Sequence, residues 1–102
     1  MADPDFEAVL ERGLYRAPFE QPLDSTIVDL MRTAARSVLG TEPKISGEAG
    51  WMDSALLSAA GIPTVIFGPD GVGAHADEEW VDLVSLQQCR EIYVAAARAF
   101  CE

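Results

Sequence analysis

The chain holds a single histidine, His75. It stands in GPDGVGAHADEEWVDL, residues 68–83, with glycines before it and Asp77, Glu78 and Glu79 just after it. Imidazole is the commonest metal-binding side chain, and the three carboxylates, with Asp53 further upstream, are the available co-ligands. A zinc centre needs three or four protein ligands in a defined geometry. One imidazole beside a cluster of acids falls short of that. On residue chemistry alone, an exposed loop histidine among solvated acids outweighs a metal ligand.

Two other chemistries are weaker. GPDGVG follows an apolar stretch as a phosphate loop would, but a phosphate cradle uses the free N–H groups of a helix that starts at once, often with a lysine. Here no helix pattern begins for more than ten residues, and the loop has no Lys or Arg. Ser54 and Ser58 lie in a helical pattern without the features of a nucleophile elbow. Cys89 lies on an apolar helical face far in sequence from His75.

The elements that must position His75 read as an α/β piece in the order β-α-β-α-β-α. Residues 5–16 read as extended, with a short helix over Phe6–Arg12 as the alternative. Residues 17–24 carry two prolines and read as a linker. Ile27, Leu30, Met31, Ala34, Ala35, Val38 and Leu39 follow the three-and-four spacing of one buried helical face over Ser25–Leu39. Asp24 or Ser25 can cap its start, and Gly40 can end it in the left-handed conformation. Pro43–Ser46 reads as a short strand. Asp53 opens a second helix that Gly61 closes.

IPTVIFGP follows directly. Ile62–Phe67 is almost uniformly apolar and β-branched or aromatic, the signature of a strand buried on both faces of an α/β sheet. A last helix spans about Leu86–Phe100, with Ser85 and Gln88 as a capping box and Leu86, Cys89, Ile92, Tyr93, Ala96 and Phe100 as its buried face. The loop from Gly68 to Val84 is long for a small domain, and such loops are often functional. It leaves the carboxyl end of the buried strand, where open α/β sheets bind ligands. The expected architecture is a small three-layer-like piece of mixed sheet with flanking helices.

Composition narrows the partners. The 102 residues suit one small domain, and a hydrophobic fraction of 49% supports a core. The formal charge of −10 argues against nucleic acid or an anionic membrane as partner, since both need a basic patch. The apolar runs are interrupted by Asp53, Gly61, Asp70 and Arg98, so none spans a bilayer. MADPDFEAVLERG has acids where a secretory signal has a basic region. Cys89 and Cys101 fall on one helix about 18 Å apart, beyond the roughly 7 Å that a disulfide spans. A reduced, cytoplasmic protein is expected.

The segment from Gly50 to Phe100, GWMDSALLSAAGIPTVIFGPDGVGAHADEEWVDLVSLQQCREIYVAAARAF, resembles the carboxyl end of the dinuclear-metal aminoacylases and exopeptidases. This family includes acetylornithine deacetylase, succinyl-diaminopimelate desuccinylase and the glutamate carboxypeptidases. Its pattern runs from a Thr-Asp-Ala helix start through Ala-Gly-Ile-Pro, an apolar strand and Gly-Pro-Gly to Ala-His-x-x-x-Glu. Asp53, Gly61-Ile62-Pro63, Gly68-Pro69, Ala74-His75 and Glu79 match in order and spacing. Ala17-Pro18, the first helix and Gly40 before Pro43 match more loosely.

The resemblance implies that His75 is a terminal ligand of one of two active-site metal ions, zinc or else cobalt or manganese. Asp53 and Glu79 take supporting or loop-fixing roles, with Asp53 equally explained as a helix cap. The implied substrates are N-acyl amino acids or peptides. The family's other ligands, from a His-x-Asp motif, a bridging aspartate and a Glu-Glu pair, have no matching positions here, and neither has the catalytic base. Met52 stands where the family usually has a small hydroxyl residue.

The resemblance therefore implies the last quarter of such an enzyme. Residues 1–20 would be the end of a lid-domain strand and a linker, and residues 21–102 the carboxyl-terminal part of the catalytic domain. Alone it is expected to be inactive and to hold no metal tightly. Its expected partner is the remainder of the enzyme, or itself through exposed apolar surface. The rival readings are a stand-alone interaction or regulatory module and a small acidic metal-sequestering protein.

Overall fold

The computed structural model describes residues 3–102; Met1 and Ala2, the first two residues of the expected lid-strand segment, lie outside them. Two long helices form the packed centre. The first, α1, spans Thr26–Leu39. Gly40 ends it at φ 73°, its N–H donating to the Arg36 carbonyl, and glycine takes this left-handed conformation without a Cβ penalty. Ser25 occupies the N-cap position, but its side chain makes no capping bond, so the expected side-chain cap is absent there.

A short helix, α2, spans Ser54–Ala59. Gly61, at φ 82°, donates to the Ser58 carbonyl, and Ile62 donates to the Leu57 carbonyl. This pair of bonds satisfies carbonyls that the helix end leaves free, and Pro63 prevents its continuation. The last helix, α3, spans Leu83–Cys101. Its cap is Asp82, whose carboxylate accepts from the Ser85 N–H. The expected Ser85–Gln88 capping box is therefore corrected: the helix starts three residues earlier, and Ser85 lies inside its first turn.

The core is the seam between α1 and α3. Ala34 and Ala35 of α1 meet Ile92 and Ala96 of α3, with Leu30, Met31, Val38, Phe67 and Ala95 packed around them. The small side chains of Ala34 and Ala35 let the helices approach closely. Cys89 and Val28 are also buried. Leu86, Tyr93 and Phe100, expected on the buried face of the last helix, are exposed.

Among the described residues the paired strands are β1, Gly71–Val72, and β2, Trp80–Val81. They are antiparallel, with Gly71 opposite Val81 and Val72 opposite Trp80. Residues 5–16, 43–46 and 62–67 take no helical conformation. Residues 62–67 are tied to the rest of the chain at two points: the Thr64 N–H donates to Gln21 Oε1, and the Tyr93 hydroxyl donates to the Phe67 carbonyl. The Trp51 indole N–H donates to the Ala17 carbonyl, and the Arg16 guanidinium lies 5.5 Å from the centre of the Trp51 ring.

The molecule is open. Its radius of gyration is 18.5 Å, against about 13 Å for a compact chain of this length. Its accessible surface is 8812 Å², against about 5,600 Å² for a compact protein of its mass. Val9 and Leu10 are 90% and 95% exposed. No helix among the described residues is long and apolar enough to cross a membrane.

Candidate functional site

His75 sits in the turn that joins β1 to β2. Two glycines shape this turn. Gly73 lies at φ 80°, and a Cβ there would overlap the Glu78 carbonyl oxygen. A Cβ on Gly71 would overlap the Trp80 carbonyl oxygen. The two limbs thus approach more closely than any side chain at those positions permits. The Ala76 N–H donates to the Gly73 carbonyl at 2.8 Å and closes the turn.

His75 is itself left-handed, at φ 64°, the one such non-glycine among the described residues. Histidine is among the residue types enriched there, though the conformation is uncommon outside glycine. Local strain of this kind is found where surrounding structure fixes it, and it clusters at functional sites.

The feet of the hairpin are fastened to α3. The Asp82 N–H donates to the Asp70 carbonyl at 2.9 Å. The Asp70 N–H donates to Ser85 Oγ at 2.9 Å, and Ser85 Oγ donates to the Asp82 carbonyl at 3.0 Å. Sequence reasoning does not single out Asp70, Asp82 and Ser85 as site residues. The Asp-x-x-Ser spacing ahead of an apolar helix is the available signal.

His75 and Glu79 are both exposed. Glu79 lies at the start of the second limb and lines an open groove of about 390 Å³ that also includes Gly73, Ala74 and Trp80. Asp53 occupies the N-cap position of α2. Its carbonyl accepts from Leu56 and Leu57, but its side chain makes no cap bond. Among the described residues, no hydrogen bond joins His75 to Asp53 or Glu79, and no group of three or more His, Cys, Asp or Glu side chains is placed to hold a metal ion. Among the described residues the available donor is one imidazole on a shaped loop. It does not make a self-sufficient metal centre. Cys89 and Cys101 are both free, the first buried and the second exposed.

The model of peptidase family M20/M25/M40 matches residues 6–99. The chain is similar to Peptidase T of Listeria welshimeri, at 43% identity over 75 residues, covering 72% of the chain and 18% of that protein. Peptidase T of Listeria innocua matches to the same extent. Succinyl-diaminopimelate desuccinylase of Hydrogenovibrio crunogenus is 26% identical over 84 residues, covering 82% of the chain and 22% of that protein. The chain thus spans about a fifth of the length of these curated relatives. No solved structure matches it. With the family match running through both long helices and the His75 hairpin, the chain belongs to peptidase family M20/M25/M40.

Proposed function

We propose that this chain is the carboxyl-terminal part of a metal-dependent amidohydrolase, an N-acyl amino acid deacylase or peptidase, to which it supplies His75 as one metal ligand. The observation that carries the reading is the family match over residues 6–99. A left-handed His75 on a glycine-shaped hairpin supports it. The other ligands and the catalytic base lie outside this chain, so the chain alone is inactive. Zinc activates water only when it is held with an open coordination position and a base nearby. Asp53 and Glu79 take supporting roles around the loop.

On the same reading, the extended stretches at 5–16, 43–46 and 62–67 are strands of a mixed sheet completed by the rest of the enzyme. The apolar surface left open here is what that remainder, or a second copy, covers. The free cysteines accord with a reducing, cytoplasmic setting.

The first test is the intact mass of the protein in its source cells. A mass several times the chain's 11.0 kDa is expected. A native mass of 11.0 kDa overturns the reading in favour of a stand-alone module. In the larger protein, His75→Ala is then expected to lose bound zinc and amide hydrolysis together.

A further inference from the structure

We propose that Ser85 is a positioning residue for His75, its hydroxyl locking both feet of the hairpin to the first turn of α3; this rests on His75 acting as a metal ligand. Among the described residues the hairpin pairs at two positions, Gly71–Val81 and Val72–Trp80, and an isolated two-stranded hairpin is marginal in water. Its geometry therefore depends on what fixes its feet.

Asp70 directly precedes β1, and Asp82 directly follows β2. Ser85 engages both. Its Oγ accepts from the Asp70 N–H and donates to the Asp82 carbonyl, while its own N–H donates to Asp82 Oδ1 at 2.6 Å. The helix that carries Ser85 is the anchored one: Cys89, Ile92 and Ala96 are buried along it. Ser85 Oγ thus ties the first foot directly to α3, beside the Asp82 N–H bond that joins the two feet.

The test uses the full-length enzyme that carries this chain. Zinc affinity is read by competition with a chromophoric chelator, and stability by thermal melting, for the wild type, Ser85→Ala, Ser85→Thr and His75→Ala. Groups that orient a metal ligand typically change affinity by about ten- to a hundredfold when removed. Ser85→Ala is expected to weaken the zinc equivalent that His75→Ala abolishes by about tenfold, with the melting temperature little changed. Ser85→Thr, which keeps the hydroxyl, restores the affinity. Wild-type affinity in Ser85→Ala overturns the positioning role. So does a parallel collapse of melting temperature and of all bound zinc. Should Ser85→Ala fail to fold, Ser85→Cys keeps the size with a weaker acceptor and is read in the same way. Full zinc content in His75→Ala overturns the ligand reading instead, which separates the two failures.

Discussion

The Tyr93 hydroxyl donates to the Phe67 carbonyl at 2.6 Å, and the two rings meet edge to face with centroids 5.5 Å apart. This contact joins the apolar stretch 62–67 to the long helix α3. Tyr93→Phe keeps the ring pair and removes only the hydrogen bond. It is expected to destabilise the protein by about 0.5–1.5 kcal/mol, toward the lower end because Tyr93 is half exposed. Urea unfolding of the two proteins side by side measures it, and an unchanged midpoint contradicts it.

The same hydroxyl has a pH signature. Burial raises the Tyr93 pKa above its ordinary value, with a smaller contribution from Cys89. A raised pKa means that the fold favours the protonated phenol. The stability it contributes is fully present below the unfolded value near about 10 and is lost as pH rises through the folded value. Stability should therefore fall more steeply above pH of about 10 in the wild type than in Tyr93→Phe. Equal slopes in the two proteins contradict the assignment.

Glu42 has the opposite sign. Its hydrogen bond to Arg32 chiefly lowers its pKa, and the charges of Arg32 and Arg36 add to that against an opposing effect of desolvation. Its contribution is present above the unfolded carboxylate value and is lost as pH falls through the lowered folded value. The group is solvent-exposed, and exposed ion pairs contribute little. Glu42→Gln is expected to leave the neutral-pH melting temperature almost unchanged and to flatten its decline in acid. A large loss of stability at neutral pH contradicts this.

Much of this architecture is legible in local pattern. The α1 face through Ala34 and Ala35, the left-handed Gly40 and the closing Gly61 follow from spacing and from glycine's freedom at positive φ. The β1–β2 hairpin is not legible, because two-residue strands carry no period. Ser-x-x-Gln at Ser85 resembles a capping box, yet Asp82 three residues earlier already supplies the capping carboxylate. The partners of the extended stretches are non-local, and periodicity says nothing about which strand lies beside which. His75 stands out as the one histidine, in a long loop, but its reading as a metal ligand comes only through the family pattern, since its own neighbours supply no ligand set.

The open surface predicts association. The accessible area exceeds that of a compact protein of this mass by about 3,200 Å², whereas a stable interface takes only about 800 Å² from each partner. The isolated chain is therefore expected to self-associate with rising concentration. Sedimentation velocity over a wide concentration range reads this directly, and a monomer throughout contradicts it.

The left-handed backbone of His75 separates shape from chemistry. At φ 64°, a side chain costs about 1–2 kcal/mol that glycine avoids, less the greater entropy glycine loses on folding. His75→Gly should thus be more stable than His75→Ala by up to about 1 kcal/mol. Both variants lack the imidazole, so on the proposed metal-ligand reading both should lose the same zinc equivalent in the larger protein. Gly73→Ala makes the converse case: it keeps the imidazole but forces a Cβ into the Glu78 carbonyl. It should lose stability and zinc together. Measured as a set by melting and zinc content, the three variants test whether the hairpin is shaped to hold His75. A Gly73→Ala protein with wild-type zinc affinity would show that the ligand does not need the turn.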